Sequence, residues 1–209
     1  MILVAVSQRV DTPHGYNEWR DGLDQRLTEW LLSIGCMPVP VPNALASAAI
    51  GGEDMLADWL RAIQPTALLL SGGNDIGDRP ERDHSEAQLL DWARVGRRPV
   101  LGLCRGMQML GTWSGGALQP VSGHVRSRHT LQGQIGGAAN SFHSFALSAC
   151  PPDYTVIARA DDGEIEAIRH KHLPWEGWMW HPEREDPFDL RDQERAKMIF
   201  SQCPPGKSE

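Results

Sequence analysis

The first half of the chain alternates short apolar runs with apolar stripes at helical spacing. Residues 2–6 are a continuous apolar run, and residues 23–34 then carry Leu, Trp and Ile side chains at steps of three and four. The plan repeats with an extended run at 37–41 and a helical stripe at 55–63. Steps of three and four predict an amphipathic helix, whereas a short unbroken apolar run predicts a buried strand.

Two further buried strands are predicted at 67–70 and 99–103, with a helix between them at 84–95. Strands that alternate with helices form a parallel sheet with right-handed crossovers. The second half has little helix between its extended runs, so we expect antiparallel hairpins there and a last helix at 191–200. The runs are 117–121, 154–158, 164–169 and 177–180. The predicted fold class is α/β, an open and mostly parallel sheet flanked by helices.

The composition is that of one soluble globular domain. Of the 209 residues, 41% are hydrophobic and 22% are charged. A chain of this length buries enough surface to form a core without a disulfide or a structural metal. We predict a single domain over residues 1–203 and a tail at 204–209.

Charge and segment composition exclude several classes of partner. Asp and Glu outnumber Lys and Arg by 27 to 20, giving a net charge of −7, so no nucleic acid is expected as a partner. Residues 1–10 lack the basic start of a signal peptide, and the chain shows no long apolar span, so no membrane partner is expected. The cysteines, at 36, 104, 150 and 203, form no CxxC pair. This usage predicts a cytoplasmic protein.

The strongest chemical signal is the segment GLCRG at 102–106, which follows the apolar run 99–103 and begins a helical segment. A cysteine between two glycines at a strand-to-helix turn corresponds to the nucleophile elbow of hydrolases. The helix N-terminus beneath Cys104 would favour the thiolate. A buried structural cysteine is the alternative, and the two flanking glycines favour the nucleophile.

A thiolate nucleophile needs a base, and His181 is the best candidate among the eight histidines. It follows an apolar run and precedes Glu183 by two residues, so both side chains point to the same side of an extended segment. Glu183 can then orient the imidazole. Backbone N–H groups for an oxyanion would come from Arg105, directly after the nucleophile, and from the glycine pair 72–73 at the end of another strand.

Two histidine pairs are candidate metal ligands: His124 with His129, and His170 with His172. In the sequence they have no acidic or thiol partner at the spacing of metal ligands. No metal site is therefore predicted, and the chemistry proposed here needs no cofactor.

The segment GLCRGMQ at 102–108, with HPE at 181–183, resembles the class I glutamine amidotransferase domain. NSFH at 140–143 and DGEIEA at 162–167 resemble its γ-glutamyl hydrolase branch, the peptidase C26-like enzymes. Softer segments, among them SQR at 7–9, are most similar to capsule-associated γ-glutamyl-CDP-amidate hydrolases. The resemblance implies a flavodoxin-like fold and a triad of Cys104, His181 and Glu183.

The resemblance also assigns expected binding roles. The amides of Gly73 and Arg105 would form the oxyanion hole. Gln108, together with the backbone of His143, Ser144 and Phe145, would hold the α-amino and carboxylate groups of a glutamyl substrate.

The leaving group would be bound at the site rim. Gln8 and Arg9 are the first candidates, because ligands of such sheets bind outside the carboxyl ends of strands. Weaker candidates for two phosphates and a cytosine are Arg79, Arg82, Arg126, Arg128 and Trp113, each of which is also compatible with an ordinary surface role.

Three functions remain open from the sequence. The first is hydrolysis of a small γ-glutamyl amide, either γ-glutamyl-CDP-amidate in capsule biosynthesis or γ-glutamyl-aminobutyrate. The second is the glutaminase subunit of an amidotransferase, with a synthetase on another chain. The third is a binding module without catalysis, which the complete Cys, His and Glu set argues against. A homodimer is also left open.

Overall fold

The structure is a computed structural model that describes residues 1–46 and 55–202. The strands are β1 (Ile2–Val6), β2 (Arg9–Asp11), β3 (Arg20–Gly22), β4 (Cys36–Pro40), β5 (Ala67–Leu70), β6 (Val100–Leu103), β7 (Leu118–Pro120), β8 (Val125–Gly133), β9 (Gly137–Phe142), β10 (Phe145–Leu147), β11 (Tyr154–Arg159), β12 (Ile165–His170) and β13 (Trp175–Trp178). The helices are α1 (Gln25–Ser33), α2 (Met55–Ile63), α3 (Pro80–Val95), α4 (Arg105–Trp113) and α5 (Leu190–Phe200). The predicted tail at 204–209 and Cys203 lie outside the described residues.

One sheet organises the described chain, in the strand order β4-β1-β5-β6-β13-β12-β11-β8-β9. The five strands from β4 to β13 are parallel to one another. The strands from β12 to β9 then continue the sheet in antiparallel order. The expected open α/β sheet is confirmed, and the predicted runs 154–158 and 164–169 do form antiparallel strands at its far side. The run 117–121 is not part of this sheet, because β7 pairs with β10 in a separate two-stranded sheet. The run 177–180 contributes to β13, which is parallel to β6.

The parallel strands separate two apolar layers, because successive side chains of a strand point to opposite faces. Leu69, Leu101 and Leu103 face the layer that contains α1 and α5. Leu68 and Val100 face the layer of α2, α3 and α4. Both faces of β5 and β6 are fully buried, which explains why their sequences are continuous apolar runs rather than alternating ones.

Several elements differ from the sequence-based expectation. The third helix begins at Pro80 and not at residue 84, since a proline is accommodated in the first turn of a helix. The last parallel strand is Trp175–Trp178 and not 177–180. The hairpin of β8 and β9 was not predicted at all, because its strand β8 is largely exposed and lacks an apolar alternation.

The tryptophans of the described chain differ in burial. Trp175 is fully buried and Trp19 is 68% exposed, while Trp92 stacks beneath the guanidinium of Arg98. Among the described helices, none is both long and apolar enough to cross a lipid bilayer.

Candidate active site

The predicted site residues follow strands that lie side by side. Cys104 directly follows β6, and β6 has β5 on one side and β13 on the other. The glycine pair at 72–73 follows β5, and His181 follows β13 by three residues. Because these strands are parallel, their carboxyl ends meet at one edge of the sheet, which is where ligands of such sheets bind.

The elbow has the backbone geometry that its sequence predicts. Cys104 has φ 51° and ψ −108° at the N-cap of α4, a strained conformation for a residue with a side chain. A Cβ on Gly102 would lie 2.5 Å from the carbonyl oxygen of Gly106, and a Cβ on Gly106 would lie 2.1 Å from that of Leu70. Both positions therefore require glycine, so that the turn can pack against α4 and β5.

The side chains of Cys104, His181 and Glu183 lie together as predicted. His181 Nδ1 is 2.6 Å from Glu183 Oε1, and the His181 side chain is hydrogen-bonded to Cys104. All three residues are buried, at 6%, 2% and 4% exposure respectively. Because the carboxylate accepts a hydrogen bond from Nδ1–H, Nε2 is the ring nitrogen available to the sulfur.

Electrostatics favour a charged imidazole at this position. Burial lowers the pKa of His181, but the Glu183 carboxylate and the Cys104 side chain more than compensate and raise it to about 9. An imidazolium at neutral pH stabilises a neighbouring thiolate, which is the nucleophilic form of cysteine. The arrangement can therefore supply both a nucleophile and a proton donor.

The glycine loop after β5 lies directly against the histidine. A Cβ on Gly72 would meet His181 Cε1 at 2.7 Å, and Gly73 has a φ of +98° that only glycine adopts readily. The loop is held from behind by Arg82, whose Nη2 donates to the carbonyl oxygens of Ser71 at 2.7 Å and Gly72 at 3.1 Å. The amides of Gly73 and Arg105 thus belong to segments that flank Cys104.

Arg82 belongs to a buried ionic network and not to the site rim. Its side chain is fully buried and donates to Glu86 Oε1 at 3.0 Å, while Arg105 contacts both Glu86 and Asp83. Burial lowers the pKa of Arg82 to about 10 and that of Arg105 to about 9. The expectation that Arg82 could bind a leaving group at the site rim is wrong, because its side chain is buried on α3 and faces the glycine loop.

Asn140, to which the sequence assigned no separate role, holds His181 in place. Asn140 on β9 donates from Nδ2 to the His181 carbonyl oxygen at 2.8 Å, and its Oδ1 accepts from the His181 N–H at 2.9 Å. The same Nδ2 also donates to Glu185 Oε1. Asn140 is part of the NSFH motif, but the contact joins residues 41 positions apart and is invisible in the sequence.

Gln108 and the segment 143–145 are joined by hydrogen bonds to the carbonyl oxygen of Phe145. Gln108 Nε2 donates to the carbonyl oxygen of Phe145 at 2.9 Å, and His143 Nδ1 contacts the same oxygen at 3.0 Å. Gln108 is buried, and its Oε1 has no hydrogen-bond partner among the residues that the structure describes. Ser144 is exposed and Phe145 half-buried, while the His143 imidazole is buried.

Gln8 and Arg9, the first candidates for binding the leaving group, differ in whether their side chains are available to a ligand. Gln8 donates through Nε2 to the carbonyl oxygen of Val41, so its amide is engaged within the fold. Arg9 is half-exposed, pairs with Asp11 and packs against Gly73. Arg9, Gly73 and His181 line a common cleft together with Arg184.

The weaker candidates for binding the leaving group do not lie together in the structure. Arg79 donates to Thr12 Oγ1 at 2.9 Å, and Arg128 forms a surface ion pair with Glu185. Arg126 is exposed and has a positive φ. Trp113, at the end of α4, packs against Trp175 with 5.5 Å between ring centroids. It lies at the end of α4 that is farther from Cys104.

The expectation that His124 and His129 lack acidic partners is wrong. His124 Nε2 is 2.7 Å from Asp162 Oδ2, and its Nδ1 is 3.3 Å from Glu166 Oε1. The His129 ring packs against that of His124 in a tilted arrangement, with 4.1 Å between ring centroids. The contacts of His124 with Asp162 and Glu166 join distant stretches of the chain and therefore have no local sequence signature.

The geometry agrees with a family comparison. The model of the family described as glutamine amidotransferase class-I matches residues 20–189, a range that includes both the elbow and the pair His181 and Glu183. This chain belongs to the class I glutamine amidotransferase family.

Curated relatives within the class I glutamine amidotransferases act on different compounds. The chain is 33% identical over 126 residues to γ-glutamyl-CDP-amidate hydrolase of Campylobacter jejuni, covering 57% of this chain and 63% of that one, which is less than two thirds of the relative's length. It is 26% identical over 199 residues to γ-glutamyl-γ-aminobutyrate hydrolase of Escherichia coli O157:H7, covering 77% and 78%. A solved structure from Thermoplasma acidophilum, of a proposed component of GMP synthase, superposes with a TM-score of 0.69 at 18% identity, covering 96% and 93%.

Proposed function

We propose that this protein hydrolyses a γ-glutamyl amide bond through a triad of Cys104, His181 and Glu183. The observation that carries the proposal is the elbow cysteine, hydrogen-bonded to a histidine whose other nitrogen lies 2.6 Å from a buried carboxylate. A nucleophile beside a base that a third group orients is the arrangement that acyl transfer requires.

The first step is attack of the Cys104 thiolate on the γ-carbonyl carbon, which forms a carbon–sulfur bond and an oxyanion. The His181 imidazolium gives its proton to the amide nitrogen as the carbon–nitrogen bond breaks. The amine leaves, and a glutamyl thioester remains on Cys104. Neutral His181 then takes a proton from water, whose oxygen attacks the thioester carbon and releases glutamate and the thiolate.

The oxyanion would be stabilised by the amides of Gly73 and Arg105. Arg105 is the first residue of α4, and N–H groups in the first turn of a helix have no partner within the helix. Gly73 lies in the loop that Arg82 holds against the site. Fixed donors of this kind stabilise charge that develops only in the transition state.

Recognition of the glutamyl group would fall to Gln108 and the segment 143–145. The bond from Nε2 to Phe145 fixes the amide orientation of Gln108, so Oε1 is left as an acceptor. A buried acceptor without a partner in the described structure is costly. A substrate ammonium group would satisfy it, which fits the α-amino end of a glutamyl group.

γ-Glutamyl-CDP-amidate is the substrate we propose in particular, with CDP-amidate as the second product in a capsule or polysaccharide pathway. The similarity to the Campylobacter jejuni hydrolase supports this choice. Arg9 and Arg184 line the cleft beside His181 together with the carboxylates of Asp24 and Glu183, and their guanidinium groups are the donors that we propose for the diphosphate. The cytoplasmic location and the homodimer stay predictions.

The test is glutamate release from γ-glutamyl-CDP-amidate, γ-glutamyl-aminobutyrate and glutamine by the purified protein. We expect the highest kcat/KM for the nucleotide substrate, and we expect Arg9→Ala to raise KM for it alone. Preference for γ-glutamyl-aminobutyrate would overturn the nucleotide assignment but keep the reaction. Weak cleavage of glutamine alone would favour a glutaminase whose partner is a synthetase.

A further inference from the structure

Four side chains from the antiparallel half of the sheet converge behind the segment 143–145. They are His124, His129, His143 and Glu166, and one ligand atom of each lies within 4.8 Å of the others. His124, His143 and Glu166 are almost fully buried, at 1%, 3% and 0% exposure. The triad does not use these side chains, and the mechanism gives them no role.

The hydrogen bonds of two histidines fix where their protons lie. His124 Nε2 is 2.7 Å from the carboxylate of Asp162, and His143 Nδ1 is 3.0 Å from the carbonyl oxygen of Phe145. Both partners only accept, so both of these nitrogens carry hydrogen. An imidazole that binds a metal is neutral and has a single N–H, so in that form His124 Nδ1 and His143 Nε2 present lone pairs.

These lone pairs point at each other and at a carboxylate. His124 Nδ1 is 3.2 Å from His143 Nε2, and each is 3.3 Å from Glu166 Oε1. Three lone pairs at hydrogen-bonding distance in a buried place repel one another unless a proton or a metal cation lies between them. In addition, His129 Nε2 and Glu166 Oε2 are buried without a hydrogen-bond partner in the described part of the chain.

We propose that His124, His143, Glu166 and His129 bind one divalent transition metal ion, for which Zn²⁺ is the best match. Tetrahedral Zn²⁺ with bonds of about 2.0–2.1 Å separates its ligand atoms by about 3.3 Å. The triangle of His124, His143 and Glu166 already has that edge length. His129 supplies the fourth corner after a small side-chain shift.

The surroundings are those of a metal site. Zinc-bound histidines usually donate their second N–H to a carboxylate or a backbone carbonyl, which sets the tautomer and the ring orientation. Asp162 does this for His124, and the Phe145 carbonyl does it for His143. Because that carbonyl also accepts from Gln108, the metal would brace the segment that we propose holds the glutamyl group.

The experiment must separate this site from Cys104 and His181, which could bind zinc themselves. We would therefore use Cys104→Ala as the background and measure Zn²⁺ binding by calorimetry, followed by Co²⁺ absorption. We expect one equivalent of Zn²⁺ to bind and to raise the Tm. Co²⁺ should give the visible bands of a tetrahedral site without a thiolate charge-transfer band.

Two variants in that background test the ligands. His129 is half-buried, and His129→Asn should weaken Zn²⁺ binding about tenfold or more. Asp162 is an exposed partner of His124, and Asp162→Asn should weaken binding by about tenfold. The matched control is His172→Asn, which removes an exposed histidine outside the cluster and should leave binding unchanged.

The proposal is overturned if the Cys104→Ala protein binds no Zn²⁺, or if the Co²⁺ complex shows a thiolate band. It is also overturned if His129→Asn and Asp162→Asn both bind like their parent. In the first case a proton shared by His124 and His143 would be the cation that the cluster holds. None of these outcomes depends on the proposed hydrolase activity.

Discussion

At the scale of single residues, the candidate site rests on backbone conformations that few residues adopt. Cys104 has a positive φ of 51°, which costs about 1–3 kcal/mol for a residue with a side chain. The glycines on either side let the main chain approach α4 and β5 closely enough to hold this turn. Strain at the nucleophile is thus maintained by packing around it.

The pKa of His181 is the first prediction. The cause that raises it most is the Glu183 carboxylate, followed by the Cys104 side chain. We expect NMR titration to give a value near 9 in the native protein, a lower value in Cys104→Ala and the lowest in Glu183→Gln. A value that is the same in all three proteins would contradict the electrostatic account of the site.

At this scale, the sequence predicts those site residues whose partners are close along the chain. Gly102, Cys104 and Gly106 define the elbow within five residues, and His181 and Glu183 are two residues apart. The sequence does not predict the environment of side chains whose partners are distant along the chain. Arg82 is a charged residue that the sequence makes a candidate for the site rim, yet it is fully buried against Glu86 and the glycine loop. The Gln8 amide donates to the Val41 carbonyl oxygen within the fold.

At the scale of elements, the parallel strands position the nucleophile and the histidine, and the hairpin of β8 and β9 fixes the histidine backbone. Asn140 on β9 makes two hydrogen bonds to the main chain of His181. The hairpin could not be predicted from the sequence because its residues are mostly exposed and do not alternate. The full His124 cluster was not predicted because His143 and Glu166 are distant in sequence from the pair His124 and His129.

The two hydrogen bonds between Asn140 and the main chain of His181 give the second prediction. Asn140→Ala removes both hydrogen bonds to the main chain of His181, so we expect kcat for glutamate release to fall about tenfold or more. KM should change much less, because no substrate contact is removed. The matched control is Thr130→Ala on the exposed side of the same hairpin, which should leave kcat unchanged.

The two variants should be compared with parallel measurements of the Tm. An Asn140→Ala protein that is fully folded and retains native kcat would show that the hydrogen bonds of Asn140 do not position His181.

At the scale of the whole molecule, one sheet with an apolar layer on each face forms the centre of the described chain. Leu101 belongs to one layer and Leu68 to the other, and both are fully buried on adjacent strands. The alternation of strands and helices was sufficient to predict this architecture. The single domain over residues 1–203 stays a prediction that unfolding can test.

Urea unfolding supplies that test. Leu68→Ala and Leu101→Ala should each lower the free energy of unfolding by about 2–5 kcal/mol. In a single cooperative unit, both changes shift one common transition. The control is Met198→Ala on the exposed face of α5, for which we expect no shift. Two separate transitions, each moved by one variant, would contradict a single domain.

The central claim is that Cys104 is the nucleophile of a γ-glutamyl amide hydrolase. The most direct measurement is glutamate release from γ-glutamyl-CDP-amidate by the native protein and by Cys104→Ala. We predict turnover by the native protein and a loss of at least about 10³-fold in the variant. Equal rates in the two proteins, or no release from any γ-glutamyl amide, would contradict the claim.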